Sequence, residues 1–386
     1  MTRLQVTHRR LLAAVVASAV VTIVGLAVLW PRGHRPDISK ALGPKAQLVR
    51  GRVELVEVKP CEGTRRADKV TCTAASVKLS DGPDKGTVVI VENPTGPGTP
   101  VIHDGDRLVL GYSADADPGQ QYYFADYERR APLLLLGAVF AVAVCVLGRW
   151  RGLRALLGLA VTFVILTGFV LPAILEGKSP VWVAVFGAAA ALLVNLYLAH
   201  GFEVRTTTAV LGTLASLVLI GALAGGFVAL THLTGLADEE ATYLQSLSAH
   251  IDVRGLLLGG IIIGSLGVLD DVTVTQASAV WELHEANPEL GGRELYRKAL
   301  NIGRDHIASV VNTLVLAYAG ASLPLLVLFV ESNRGLGDVL TGETVAAEIV
   351  RTLVGSIGLV ASVPITTALA AAVAGRDVPV RSPRAG

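Results

Sequence analysis

The sequence predicts an α-helical polytopic membrane bundle of about eight spans, with a small extracytoplasmic β-domain between spans 1 and 2. Hydrophobic residues make up 52% of the 386 residues and charged residues 17%, against about 25% in soluble domains. The mean hydropathy is +0.56, and the apolar runs approach the ~20 residues that cross ~30 Å of hydrocarbon. This hydropathy makes membrane lipid the expected surrounding. The formal net charge of +1 gives no reason to expect nucleic acid as a partner.

The apolar runs define the spans. The first run begins with basic residues, as a signal peptide does, but it is about 20 residues long and lacks an A-x-A cleavage site. We therefore predict that residues 1–31 form an uncleaved membrane anchor and that residues 131–375 form a seven-span membrane domain. A window of about 19 residues places the spans at Leu11–Trp30, Pro132–Leu147, Leu153–Leu175, Val181–His200, Thr206–His232, Gly255–Thr275, Ile307–Val330 and Thr352–Ala374.

Basic residues set the expected orientation, because cytoplasmic segments of membrane proteins carry an excess of Lys and Arg. With the N-terminus inside, Arg151, Arg154 and the tail at residues 376–386 fall in the cytoplasm, and the short outer loops hold few cations. Arg129 and Arg130, at the outer end of the second span, depart from this bias. Both termini are therefore predicted to be cytoplasmic.

Residues 37–128 are the one sizeable water-soluble stretch. The segments GRVELVEV, GTVVIVEN and DRLVLGYS alternate apolar and polar residues as strands do, and Gly, Pro, Asp and Asn separate them. The sequence predicts one small β-domain here, with a barrel as one form. Cys61 and Cys72 lie eleven residues apart in it. They form either a disulfide, which an oxidising compartment permits, or two unlinked buried thiols. A zinc site is less favoured because no paired histidines accompany them.

Two adjacent aspartates interrupt the sixth span, in the stretch GGIIIGSLGVLDDVTVTQAS. An aspartate inside a bilayer costs a few kcal/mol and therefore normally faces a cavity or a partner. At helical spacing Asp271 lies on a polar stripe that continues through Thr275 and Ser278, and Asp270 lies at the margin of that stripe. We therefore expect Asp271 to be the more important of the two carboxylates.

A second polar stripe enters the seventh span through Asp305, Ser309 and Asn312, with His306 and Thr313 beside it. If the two helices are neighbours, the stripes converge on one vestibule at the cytoplasmic side. Three interpretations stay open. The set relays protons or binds a cation, it ligates a divalent metal, or the acids only cap helix ends and pair with neighbouring arginines.

The blocks GVLDDVTVTQAS (residues 267–278) and GRDHIASVVNTLVLAYAGASLPLL (residues 303–326) carry a family resemblance. From about Leu133 to Gly375 the chain resembles the YibE/F-like membrane proteins, a bacterial family. The resemblance implies a multi-pass protein of the bacterial cell membrane and no particular reaction. It implicates Asp270, Asp271, Gln276, Asp305, His306, Asn312, Thr313 and Pro324 as candidate site residues.

No hydrolase signature occurs in the sequence: it has no Gly-x-Ser-x-Gly elbow, no P-loop and no His-Glu-x-x-His. We therefore expect neither an enzyme nor a cofactor. The function expected is a transporter or permease for a small solute or ion that uses the carboxylate cluster. The alternative is a non-transporting envelope or accessory protein whose outer β-domain binds a partner.

Overall fold

A computed structural model describes residues 3–33, 47–61, 71–117, 119–237, 239–247, 250–331 and 335–375. The chain divides into two compact units. One comprises residues 37–143, and the other comprises residues 1–36 and 144–386. The predicted cytoplasmic tail at residues 376–386 lies outside the described residues.

The first unit contains a five-stranded antiparallel sheet, a small half-barrel. Its strands are ordered β3-β2-β1-β4-β5, so that β1 is central. The three alternating segments of the sequence lie in β1, β3 and β4, as strand periodicity predicts. The strands are β1 (Gln47–Pro60), β2 (Thr71–Leu79), β3 (Val88–Pro94), β4 (Arg107–Tyr112) and β5 (Tyr122–Tyr127).

The sheet encloses a core of aliphatic side chains, among which Val49, Leu108 and Leu110 are fully buried. Along β1 and the start of β4 these residues alternate with less buried neighbours such as Arg50 and Val109, because successive side chains of a strand point to opposite faces. A disulfide joins Cys61 to Cys72, with a Cα–Cα distance of 4.9 Å. Of the two alternatives left by the sequence, the structure therefore contains the bonded pair.

The chain is predominantly helical outside the sheet, and six of the helices in the described residues are long and apolar enough to cross a membrane. The count becomes seven if α8 and α9, which are bent by 64°, form one span. The helices are α1 (Arg3–Leu29), α2 (Arg130–Ile165), α3 (Leu171–Leu175), α4 (Pro180–His200), α5 (Val204–Leu230), α6 (Glu239–Leu247), α7 (Val253–Ala286), α8 (Gly292–Ala321), α9 (Leu323–Glu331), α10 (Leu336–Thr341) and α11 (Glu343–Ala374).

Apart from the bent pair, the difference from the eight predicted spans lies in the stretch Arg130–Leu175, a single helical stretch of 46 residues where the sequence predicts two spans. A π-helical turn at Leu166–Val170 joins α2 to α3 in this stretch. Arg149 interrupts α2, because its φ of 51° and ψ of −129° are not helical. A Cβ added at Gly152 would meet the carbonyl of Val144. Residues eight apart in a continuous helix are about 12 Å apart along the axis, so the chain folds back at Arg149.

Contacts at one end of the helical unit hold the end of α1 beside the turn between α3 and α4. The backbone N–H groups of Arg32 and Gly33 donate to the carboxylate of Glu176, at 3.1 and 2.9 Å. Lys178 Nζ donates to the carbonyl of Trp30 at 2.6 Å. The last turn of α1 and the last turn of α3 therefore lie at the same end of the unit.

The same end also gathers the end of α5 and the starts of α7 and α11. Glu343 accepts hydrogen bonds from the N–H and the hydroxyl of Thr234, both at 2.7 Å. Gly235 packs against the backbone of Val253, and Gly259 packs against that of Pro180. At the opposite end the start of α8 packs on the end of α11.

The core of the helical unit is formed by α4, α5, α7 and α11, whose facing residues are small or aliphatic. Fully buried Thr213 and Thr273 hydrogen-bond across α5 and α7 with an oxygen–oxygen distance of 2.6 Å. Gly358 of α11 lies against Ile220 of α5 and leaves no room for a Cβ. Small residues at such crossings bring helix backbones close together, as is typical of membrane bundles.

Candidate functional site

A cavity of about 540 Å³ lies among the second part of α2, α4 and α7. Its walls are mainly aliphatic, with Leu159, Leu192 and Leu266 among them. Asp270 and Asp271 line it together. We call this space the acidic cavity. Its other polar linings are Thr162, Asn195, His200 and Thr275.

The periodicity of α7 explains why both carboxylates reach the cavity. Ile263, Leu266, Gly267 and Val274 line it as well, and their spacing of three, four or seven residues from Asp270 puts them on one helix face. The opposite face of α7 packs into the core through residues such as Leu269 and Val272. The apolar face is therefore used for packing, and the acids lie where the helix borders open space.

Asn195 of α4 reaches Asp270 from across the cavity. Its Nδ2 donates to Asp270 Oδ2 at 3.4 Å, which is longer than an ordinary hydrogen bond of 2.7–3.2 Å. Gly158 of α2 lies against the side chain of Asn195, where any Cβ would collide with Oδ1. Glycine at this position lets α2 approach α4 and close the cavity beside the carboxylates.

The two aspartates differ in how far the fold encloses them. Asp271 is exposed on the surface of α7, whereas Asp270 is half-buried and accepts the hydrogen bond from Asn195. The margin of the polar stripe is therefore the more enclosed position. Asp270 is thus the carboxylate that the fold holds in place, and Asp271 is the more accessible of the two.

A second, smaller cavity of about 300 Å³ borders the acidic cavity, and Ala199, His200 and Val274 line both. Three arginines surround this second space, which we call the basic mouth: Arg151, Arg154 and Arg205. Its one carboxylate, Glu203, forms an ion pair with Arg205. Within the described residues no carboxylate lies at ion-pairing distance from Arg151 or Arg154. The mouth therefore carries a positive charge.

Gln276 lies away from the acidic cavity, in the packed contact of α7, α8 and α11. It is buried, and its Nε2 donates to the carbonyl of Ala299 at 2.8 Å and to Thr367 Oγ1 at 2.7 Å. Gly303 packs against it. Both donor positions of the amide are thus satisfied by neighbouring helices. This geometry assigns Gln276 to the joining of three helices.

The four candidate residues of α8 do not line the acidic cavity. Asp305, Asn312 and Thr313 are exposed, and His306 is half-buried. The reason is the apolar face of the same helix: Leu300, Ile307, Val310 and Val311 pack against α7 and α11. With that face inward, the polar stripe points away from Asp270. The structure therefore does not form the single vestibule that the sequence suggests.

Two features of the site are not evident from the sequence. Asn195 forms an interhelical hydrogen bond with the carboxylate that lines the cavity. Arg151, Arg154 and Arg205 surround one cavity, although no sequence spacing indicates it. Among the described residues, no three His, Cys, Asp or Glu side chains come together as a metal site requires.

A family model described as YibE/F-like protein matches residues 136–376. The match includes the acidic cavity, the basic mouth and all of the candidate residues on α7 and α8. No curated protein matches the chain. No solved structure matches it either.

Proposed function

The chain belongs to the YibE/F-like family, and from that premise we propose that it is a multi-pass transporter or permease that moves a small solute or ion without altering it chemically. The observation that carries the proposal is that the basic mouth and the acidic cavity lie side by side and share three lining residues. A charged entrance that leads to carboxylates between apolar helices is the arrangement that a membrane passage needs, because intramembrane acids normally border a solute or proton path.

We propose eight crossings, and the contacts at the helix ends support this count. Residues 37–128 have no apolar run, so α2 starts on the side of the membrane where α1 ends. Because the end of α1 contacts Glu176, the stretch Arg130–Leu175 must cross an even number of times. Its 46 residues span about 69 Å as one helix, twice the ~30 Å of hydrocarbon. The reversal at Arg149 divides them into two spans.

The helix α8 and the helix α9 together make one of these crossings. The starts of α7 and α11 lie at one end of the helical unit, so the chain must return there between Ala286 and Glu343. The positive-inside rule places the opposite end in the cytoplasm, because the mouth arginines and Arg293, Arg297 and Lys298 lie there. Both termini are then cytoplasmic, in a bacterial cell membrane.

The charge of the basic mouth favours anions among the possible solutes. A cleft with an excess of cations raises the local concentration of anions and their rate of entry. Beyond the mouth an anion meets Asp270 and Asp271, and it passes them only if a proton or cation accompanies it. The cavity thus favours movement of an anion together with a proton.

The proposal is tested by flux into proteoliposomes that contain the purified protein, with phosphate, acetate, chloride and sodium supplied separately. We expect an anion to enter faster than into protein-free vesicles. Arg154→Gln should slow this entry and weaken its dependence on ionic strength, whereas Arg297→Gln, an exposed arginine away from both cavities, should not. Preferential entry of sodium would contradict the assignment of an anion.

A second candidate function is binding of an envelope partner by the β-domain. The observation that favours it is a set of exposed apolar side chains on β1 and β3, of which Leu55 is 49% exposed, Val58 69% and Ile90 57%. Leu55 and Ile90 flank Ser76 in the register of the sheet, so they share a face. Loss of cellular function in Ile90→Asp, with flux into proteoliposomes unchanged, would favour this role.

A further inference from the structure

Four arginines surround a groove of about 420 Å³ in the first unit, which we call the arginine groove. Arg50 and Arg52 come from β1, Arg107 comes from β4, and Arg130 begins α2. Ala131 and Leu134 of the first turns of α2 form an apolar wall of the same groove. The groove therefore joins a positive floor to an apolar side.

Two of these arginines are already paired. Arg50 donates to Glu128 at 2.6 Å and to Asp81 at 2.9 Å. Glu128 also lies 3.9 Å from the Arg130 guanidinium and accepts the backbone N–H of Arg130 at 3.1 Å. The two carboxylates thus offset the charge of Arg50 and Arg130.

Arg52 and Arg107 remain without such a partner. They stand directly opposite each other in the antiparallel register of β1 and β4, so their side chains share one face of the sheet. No carboxylate of the described residues lies at ion-pairing distance from either guanidinium. Like charges directly opposite each other destabilise a strand pair. The two guanidinium groups are therefore available to bind an anion from outside the chain.

The position of the groove indicates what kind of anion this is. The apolar helix α2 begins at Arg130, and Leu134 is 67% exposed. If α2 enters the membrane there, as the proposed topology requires, the arginine groove lies at the level of the lipid head groups. Guanidinium groups bind phosphate through pairs of parallel hydrogen bonds.

We propose that the arginine groove binds the phosphate of an anionic phospholipid, whose acyl chain lies along Leu134. Arg52 and Arg107 hold the phosphate oxygens between them, and the lipid anchors the β-domain at the membrane surface. The lipid site requires that a membrane span begins at Arg130, and it is independent of any transport through the acidic cavity.

The test uses the full-length protein in detergent micelles, titrated with a fluorescent phosphatidylglycerol. We expect saturable binding that is about tenfold weaker in Arg107→Gln, the effect of losing charge-assisted hydrogen bonds. The double variant Arg52→Gln/Arg107→Gln should abolish it. Lys85→Gln removes an equal charge from an exposed position of the same domain, outside the groove, and should leave binding unchanged. An equal loss in Lys85→Gln would reduce the effect to general charge attraction and overturn the proposal.

Two further arms identify the ligand and exclude misfolding. Inorganic phosphate at the same concentration should not displace the phospholipid, and displacement would show that the groove takes a free anion instead. In nanodiscs of phosphatidylcholine alone, Arg107→Gln should be as stable as the wild type or more stable, since the variant removes like-charge repulsion. A lower Tm there would mean that Arg107 supports the sheet and would refute the lipid site. Flux through the acidic cavity is measured separately, so either proposal can fail alone.

Discussion

Replacement of Gln276 by Leu separates the joining of helices from the coupling role that the sequence suggests for this residue. The side chain keeps its approximate size but loses both donors, to the Ala299 carbonyl at 2.8 Å and to Thr367 Oγ1 at 2.7 Å. An interhelical hydrogen bond in a membrane contributes about 0.6 kcal/mol on average and up to about 1.7 kcal/mol. Two such bonds make the expected destabilisation about 1–3 kcal/mol.

The assay is unfolding of the purified protein in detergent, combined with flux per folded molecule in proteoliposomes. Gln276→Leu should lower stability and the amount of folded protein, whereas flux per folded molecule should stay near that of the wild type. Asn312→Leu is the matched control, because this amide is exposed on α8 and no hydrogen bond of its side chain is present among the described contacts. Its stability should change little. The reasoning is refuted if Gln276→Leu keeps full stability and abolishes flux, since that result would place the amide in the solute path.

The remaining predictions concern the β-domain. Reduction of the disulfide between Cys61 and Cys72 should lower the free energy of unfolding by about 2–3 kcal/mol. After reduction, and only then, a membrane-impermeant thiol reagent should label these cysteines in intact cells. Labelling that requires opened membranes would contradict the predicted orientation. The backbone N–H of Arg130 and the Arg50 guanidinium hold the pKa of Glu128 below its usual range. The ionised carboxylate of Glu128 therefore stabilises the fold at pH values above the ordinary carboxylate range, and this stabilisation is lost as the pH falls through the lowered pKa. Between about pH 6 and pH 3, the Tm of Glu128→Gln should therefore fall less than the Tm of the wild type. An equal fall of Tm in both proteins would exclude the Glu128 network as the cause.

The elements of both units follow from periodicity. Alternation in GRVELVEV predicts β1, and the apolar runs predict the long helices, because each pattern reflects which side chains the element buries. The polar stripe of α7 likewise predicts that Asp271 lies at an open face. Such patterns describe one helix or strand at a time. They predict its type and its buried face correctly where the burial of that element alone decides them.

The candidate site depends on pairs of elements, which the sequence does not specify. The stripe through Asp305 and Asn312 is real, but the apolar face of α8 meets α7 and α11 and turns that stripe outward. Gly158, a residue without chemistry of its own, decides how near α2 comes to Asn195. The arginines of the mouth converge only because the chain folds back at Arg149. These outcomes depend on packing between distant segments.

The central claim is that the acidic cavity conducts a solute together with a proton, and it is tested most directly by proton uptake into proteoliposomes loaded with a pH-sensitive dye. Acetate, phosphate or chloride is added outside in separate experiments, and uptake is divided by the amount of folded protein. Asp270→Asn keeps the size of the side chain and removes its charge, so it should abolish anion-dependent proton uptake, and Asp271→Asn should reduce it less, because Asp270 is the more enclosed. Proton uptake that is equal in both variants and the wild type, or no greater than in empty vesicles for every anion, would contradict the account.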